Sequence, residues 1–389
     1  MKTSDYFTAS FVEKMMQDQE PGSRIKVTKI EEFPVDNSAS ILSTLNASTT
    51  GQEIGHFGLE VSFIKDNKPQ QRKMVMKVKP HGKVTASMLT GLADFCGKPL
   101  NDVYQKHEKL TGFSNSHIRE LEVYKKKPSP IQPEIFGLSV DTENEIFIIL
   151  MEYLEDVELL NSVMNPEKWT REHIEVALLQ MAAWHASNLN LSEGLNLEFW
   201  KEDVPGKDYM EQLQPLWKSL LQHASTTLPE LYTPENKAIL ERGIEKIPFY
   251  WSELEKMPKT LIHNDFNPRN ICFSRKNGDL QLCLYDWELA TFHVPQYDVV
   301  EFLSFVLIPE NYESRLNYLE IYRKELNRLT GKFSNQEEFQ KGFAYAALDF
   351  GMHRLGMYVM AHSVSPYPFL PRVLHSYFNT LQQVKHLLP

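Results

Sequence analysis

The sequence predicts an α+β protein of two lobes, strand-rich at the N-terminus and mainly helical at the C-terminus. Three observations predict it. β-type alternation is concentrated before residue 154, helical periodicity dominates after it, and one polar hairpin interrupts the helical part. A length of 389 residues exceeds one small core and suits two lobes with a shared cleft. The expected division is 1–153 for an N-terminal extension with the strand-rich lobe, and 154–389 for the helical lobe.

Between Ser4 and Asp18, the residues Tyr6, Phe7, Phe11 and Met15 recur at helical spacing, which predicts a helix packed on the body rather than a membrane anchor. Arg24 to Val35, Gly58 to Lys65 and Lys73 to Lys79 alternate or carry β-branched residues, and read as strands. Helices are expected over Val84 to Leu92, Leu100 to Leu110 and Ser116 to Lys126. Pro128, Pro130 and Pro133 forbid continuation of the last one, because proline lacks the backbone N–H and crowds the preceding turn. Ile135-Phe136-Gly137 and Glu145 to Tyr153 read as two further strands. Beyond Leu154 the pattern turns helical. Thr170 is the N-cap expected for a long helix through Ser187, whose apolar face carries Ile174, Leu178, Met181 and His185. Helices are also expected over Tyr209 to Ala224, Pro234 to Lys256, Ser314 to Leu329, Asn335 to Met360 and Pro371 to Leu388.

Composition narrows the function. The net charge is −10, and no basic run exceeds Lys125-Lys126-Lys127, which argues against a nucleic-acid-binding surface. Cys96, Cys272 and Cys283 lack metal-ligand spacing and cannot all pair, as expected of a reduced, cytoplasmic protein. Met1 to Glu20 contains acids and does not read as a signal peptide. No apolar run approaches the length needed to cross a bilayer, so no membrane partner is expected.

The chemistry concentrates in Leu261-Ile262-His263-Asn264-Asp265-Phe266-Asn267-Pro268-Arg269-Asn270, where a histidine, an acid and an amide follow the spacing H-x-D-x-x-x-x-N. Lys259 to Ile262 reads as a strand entering this loop and Ile271-Cys272-Phe273 as a strand leaving it. The polar run Ser274 to Asp279 then makes a hairpin, and Leu280 to Tyr285 returns to deliver Asp286. These residue types also build plain structural turns, with Asn270 as a cap. The flanking strands favour chemistry, since a hairpin ending in Asn270 and Asp286 gathers two ligands for one cation. The pattern resembles the catalytic loop and metal-binding acid of a kinase-like phosphotransferase. One carboxylate serves the acceptor hydroxyl, while an amide and a second carboxylate hold magnesium against the ATP phosphates.

A phosphate-binding lysine should lie upstream. Lys73-Met74-Val75-Met76-Lys77-Val78-Lys79 reads as a strand with its lysines on one face, and Lys77 best matches the lysine of a V-A-I-K strand. The alternative is three solvated lysines on an edge strand. Of two acids on the helix over Ser116 to Lys126, Glu120 is preferred to Glu122 as the partner of Lys77, because Leu121 and Tyr124 share the buried side next to it. Glu152, Tyr153 and Leu154 resemble a hinge whose backbone would bond the adenine edge. No G-x-G-x-x-G occurs near residues 40 to 60. Ser43 to Gly51 offers instead small and hydroxyl-bearing residues whose N–H groups could cradle phosphate.

Taken with Asp286-Trp287-Glu288, with Gln296-Tyr297-Asp298 twelve residues beyond, and with Met181-Ala182-Ala183-Trp184-His185-Ala186, the loop resembles one protein superfamily. It is that of the aminoglycoside phosphotransferases and choline kinase-like proteins, which includes the ecdysteroid kinase-like proteins. The resemblance spans roughly residues 75 to 305. It implies a protein-kinase-like fold, with nucleotide bound by the N-lobe and the acceptor by the C-lobe, and ATP-dependent phosphorylation of a small-molecule hydroxyl. Carried over, Asp265 is the catalytic base, Asn270 and Asp286 bind Mg²⁺, and Lys77 binds phosphate. His263 and Asp298 support the loop, and His185 is a core histidine. A protein kinase would instead need D-F-G and a segment closing with A-P-E, whereas Asp298 arrives too soon for a peptide-docking loop. A nucleotide-binding regulatory pseudokinase is favoured by the missing glycine loop and disfavoured by the intact trio Asp265, Asn270 and Asp286. For the acceptor, acids within Glu152 to Glu158 are compatible with a cationic amine-bearing alcohol, the alternative being a plain solvated acidic surface. Asp349, His353, Arg354 and Tyr358 on one helix, with Glu301, Phe302 and Phe305, are candidates to line its cleft.

Overall fold

The computed structural model describes residues 6–35, 54–189 and 194–389. The expected phosphate-cradling stretch, 43–51, lies outside them. Strands β1 (Ile25–Phe33), β2 (Gly55–Lys65), β3 (Lys68–Pro80), β4 (Ile135–Asp141) and β5 (Ile146–Glu152) form one antiparallel sheet in the order β1-β2-β3-β5-β4. The lysine strand β3 is therefore central, flanked by β2 and β5, and the edge-strand alternative falls. β5 is buried from Ile146 to Met151, as a strand covered on both faces should be.

Helix α1 (Ala9–Gln19) covers one face of the sheet. Its N-cap Thr8 accepts a bond from the Phe11 N–H at 3.2 Å, so Tyr6 and Phe7 precede the helix instead of opening it. Val12, Met15 and Met16 are buried against Val27, Leu59, Met76 and Leu150. The approach is close enough to require a glycine. A Cβ on Gly137 of β4 would stand 2.7 Å from the Met15 Cβ. Helices α2 (Gly82–Phe95), α3 (Lys98–His107) and α4 (Ser116–Lys126) lie between β3 and β4 in the chain, and α4 buries Arg119 and Glu120 together with Leu121 and Tyr124.

The C-terminal lobe starts from α5 (Arg171–Ser187). Thr170 and His173 close a capping box at its start, the kind of cap whose loss costs ~1 kcal/mol. Two expected helices are broken. Residues 207–227 divide into α6 (Lys207–Gln212) and α7 (Gln214–Thr227), and residues 234–254 into α8 (Pro234–Glu245) and α9 (Ile247–Leu254). Pro215 and Pro248 sit at the starts of α7 and α9, where the missing N–H would have no helical partner anyway. Strand β6 (Thr260–Ile262) pairs with β9 (Thr291–His293), and β7 (Ile271–Lys276) pairs with β8 (Asp279–Leu284) through the turn at Asn277-Gly278.

Helix α10 (Gln296–Val306) has every residue buried. With no solvent face it shows no amphipathic period, so only its individual residues are readable in the sequence. The remainder is α11 (Arg315–Thr330), α12 (Gln336–Phe350), α13 (Gly356–Val364) and α14 (Leu370–Gln383). The helix expected through 335–360 is interrupted by a π-helical turn, Gly351–Leu355. Among the described residues, no helix is long and apolar enough to cross a membrane. The whole is an α+β fold, a five-stranded antiparallel sheet joined to a mainly helical C-terminal part.

Candidate active site

Strand β6 delivers His263 and Asn264 to the interior. Asn264 takes a left-handed backbone, φ 61°, a conformation that asparagine tolerates better than most residues, and its side chain donates to the Leu289 carbonyl at 2.9 Å. Asp298, in the first turn of α10, grips this corner. It accepts the backbone N–H of His263 at 2.7 Å and of Asn264 at 2.9 Å, and pairs with His185 Nε2 at 3.1 Å. His185 Nδ1 meets the Tyr322 hydroxyl at 2.6 Å. His263 Nε2 donates to the Tyr285 carbonyl at 3.0 Å, and burial lowers its pKa, which keeps the ring neutral. These side chains frame the loop through its backbone.

Asp265 is the most heavily bonded side chain of the loop. Its Oδ1 accepts from Asn267 Nδ2 at 2.9 Å, Arg269 Nη2 at 3.2 Å, Arg354 Nη2 at 2.7 Å and the Tyr358 hydroxyl at 2.9 Å. Its Oδ2 accepts from Asn270 Nδ2 at 2.7 Å. Burial works against the charge of Asp265, but Arg269 and Arg354 outweigh it and hold the carboxyl down at about 2. Asn270 commits its N–H to Asp265, leaving the amide oxygen as the atom that could face a cation. The backbone bond from the Tyr285 N–H to the Asn270 carbonyl, 3.1 Å, brings the residue before Asp286 alongside.

Asp286 leaves β8 in the left-handed region, φ 65°, and opens a short 3₁₀ turn, Trp287–Leu289. Left-handed backbone at a non-glycine residue is sparsely populated and clusters at functional sites. Trp287 anchors the turn between His263 and Trp184, with ring centroids 4.6 and 4.3 Å away. Lys77 Nζ reaches Asp286 Oδ1 at 2.8 Å and both Glu120 oxygens at 2.8 and 2.9 Å. Glu122 points elsewhere, accepting the Asn196 N–H. Lys79, two residues along the same strand face, also bonds Glu120 and reaches Glu288 Oε2 at 2.8 Å. Burial disfavours the Lys77 charge, yet Asp286 and Glu120 hold the ammonium above the usual lysine range. Burial likewise opposes the Asp286 charge, and Lys77 and Lys79 depress its carboxyl below the usual range. His56 stands opposite Lys77 on β2, and burial with Lys77 lowers it to about 4. Carboxylate oxygens of Glu120, Asp286 and Glu288 lie within 4.8 Å of one another, a hard, anionic donor set of the kind Mg²⁺ takes.

The hinge residues divide. The N–H groups of Glu152 and Tyr153 are engaged by the carbonyls of Glu134 at 2.9 Å and Lys73 at 3.1 Å. Of the three, only the Leu154 N–H lacks a partner among the described residues. Two of the acids expected to favour a cationic acceptor, Glu155 and Glu158, are committed elsewhere. Glu155 pairs with Lys73 at 2.7 Å, and Glu158 with Arg275 at 2.6 Å. Asp349 is buried under Tyr250, Trp251 and His293. Phe302 stacks on Phe266, Phe305 lies against Tyr358, and Glu301 accepts from Asn267 at 3.0 Å. His353 and Arg354 line a small enclosed cavity with Asn264, Thr291 and Asp349. About 20 Å³ of it is open to the centre of a water molecule, room for roughly one water. His353 Nε2, Arg354 Nε and Thr291 Oγ1 are buried there without partners among the described residues.

Lys79, Arg269 and the reach of Arg354 and Tyr358 to Asp265 were not assigned from sequence. Lys79 shares its strand face with Lys73 and Lys77, and that period alone does not single it out. Arg269 sits inside the motif, but its partner Tyr358 is 89 residues away.

A search of curated proteins finds no match. Among solved structures, an ethanolamine kinase from Plasmodium vivax aligns at 12% identity over 90% of this chain and 82% of its own, with a TM-score of 0.45. A microcompartment-associated aminopropanol kinase aligns at 10% identity over 86% and 89%, with a TM-score of 0.43. An aminoglycoside-3'-phosphotransferase of type VIII aligns at 13% over 83% and 93%, with a TM-score of 0.36. The sequence profile of the ecdysteroid kinase-like family matches residues 56–334, and the chain belongs to that family.

Proposed function

We propose that the protein transfers the γ-phosphoryl group of ATP, with Mg²⁺, to a hydroxyl of a small molecule. One observation carries the reading. Lys77, Glu120 and Asp286 are linked at one end of the β7–β8 hairpin, and the other strand of that hairpin starts beside Asn270, which is bonded to Asp265. Lys77 and Lys79 supply positive charge for phosphate oxygens, and the N–H of Leu154 is the hinge donor open to an adenine edge. Asp265, kept ionised by Arg269 and Arg354, orients the acceptor hydroxyl and takes its proton late in the transfer. Asn270 and Asp286, with Glu288 close by, would hold Mg²⁺, which when bound offsets the charge that develops on the transferred phosphate.

The short path from Asp286 to α10 favours a small acceptor. It holds only the 3₁₀ turn and β9, which leaves no segment for docking a peptide. The decisive experiment combines a thermal shift with ATP·Mg²⁺ and an ATP-consumption screen over amino alcohols, sugars, aminoglycosides and steroid alcohols. A shift together with consumption by one class is expected. Absence of both would sink the proposal.

A further inference from the structure

An ionised carboxylate offers about four hydrogen-bond acceptor positions. Asp265 already receives five donors from Asn267, Arg269, Asn270, Arg354 and Tyr358. A general base must also accept a bond from the hydroxyl it serves, at roughly 2.6–3.2 Å. Four of the five fall on Oδ1 and only Asn270 on Oδ2, so an acceptor hydroxyl that engages Oδ1 has to displace one of those four.

The five are not equivalent. Asn267, Arg269 and Asn270 belong to the loop itself, and their bonds hold its shape. Arg354 is a cation, and a bond from a charged donor is worth about twice a neutral one. Tyr358 alone is a neutral hydroxyl, arriving from α13 at 2.9 Å. It is chemically an alcohol at the position where an acceptor alcohol must come. Its ring is packed where it stands. Arg269 and Arg354 lie over it at 5.1 and 5.3 Å, and Phe305 and Tyr367 meet it edge-on at 6.2 and 6.4 Å. The π turn just before α13 adds a second observation. It resets the helical register between α12 and α13, and Arg354 and Tyr358, four residues apart, both reach Asp265. π turns of this kind are frequent at functional sites.

We propose that the Tyr358 hydroxyl stands in for the acceptor hydroxyl on Asp265 and is the gate that the acceptor displaces, keeping water off the base until then. The proposal rests on Asp265 being the base of a phosphotransferase, so its test separates the two ideas. Phosphate release from ATP·Mg²⁺ is measured for the full chain with no alcohol added. The chains compared are wild type, Tyr358→Phe, and Tyr358→Phe combined with Asp265→Asn. Tyr358→Phe keeps the ring and removes only the blocking hydroxyl, so water gains the vacated position. Acceptor-independent hydrolysis should rise by roughly 2- to 10-fold, the equivalent of one neutral hydrogen bond, and Asp265→Asn should erase the rise. A merely structural role for Tyr358 would lower the rate or leave it unchanged. Equal or slower release in Tyr358→Phe, or a rise that survives Asp265→Asn, would overturn the gate. A thermal shift with ATP·Mg²⁺ in wild type and in Tyr358→Phe, alongside unchanged release, would reject the gate alone. Absence of any shift in wild type would reject the parent reading.

Discussion

Asp265 and Asp286 are half-buried acids kept ionised by different means, and we assign them different duties. Asp265 is balanced by two guanidinium groups that also fix its orientation. Asp286 is balanced by two ammonium groups on a strand of the other lobe. Asp265→Asn should therefore lower phosphoryl transfer by roughly 10²–10⁴-fold, the usual worth of a positioned base, while the thermal shift with ATP·Mg²⁺ persists. Transfer at the wild-type rate would remove Asp265 from that role. At this scale the sequence is readable wherever the partner is close along the chain or periodic. The motif spacing names Asp265 and Asn270, and the likeness of Val75-Met76-Lys77 to a V-A-I-K strand names Lys77. Lys79 escapes because Lys73, Lys77 and Lys79 share a face by spacing, and spacing alone says nothing about which are buried. Lys73 proves to be exposed and Lys79 buried.

The π turn is the element whose consequences reach furthest. A Cβ on Gly351 would fall 1.8 Å from the Tyr377 hydroxyl, itself bonded to the Ala347 carbonyl at 3.0 Å. Gly351→Ala should cost about 1–3 kcal/mol, the range for overpacking a filled core. It should also disturb the register that brings Arg354 and Tyr358 to Asp265. Chemical denaturation reads the first effect as a lower midpoint at constant slope, and an unmoved midpoint would mean that Tyr377 steps aside. The turn was not legible in the sequence, because one extra residue in a run of 26, from 335 to 360, scarcely alters a helical period. The breaks at Pro215 and Pro248 had a visible cause, and Thr170 announced its own helix. α10 gave no signal because burial on all sides removes the contrast that periodicity measures.

Over the whole molecule, the order of strands before helices was enough to read the two-lobed plan, and no local conflict obscured it. What the sequence withheld is how the lobes meet, since that depends on pairs such as Lys77 and Asp286, 209 residues apart. Other buried titratable groups set the pH dependence of stability. Burial and Asp265 push Glu301 from 4.5 up to about 8, so near neutrality the folded state holds a proton that the unfolded chain has released. Its contribution is fully present below about pH 4.5 and is lost as pH rises through about 8. His353 and His117, both lowered by burial to about 3, act on the acid side. Their contribution is present above 6.5 and is lost as pH falls towards 3. Melting temperatures of wild type relative to Glu301→Gln should fall from about pH 5 to about pH 9. A rise across that range would refute the assignment to Glu301.

The contact between Lys77 and Asp286 carries one more consequence. In the free protein an ammonium already occupies the flank of the carboxylate that we assign to the ion. Loading is then an exchange of one cation for another, and the fold does not wait on metal to quench a cluster of bare acids. Chelation with EDTA should leave the melting temperature of the nucleotide-free protein where it was. A marked drop would mean that the ion is part of the scaffold and arrives before the nucleotide does.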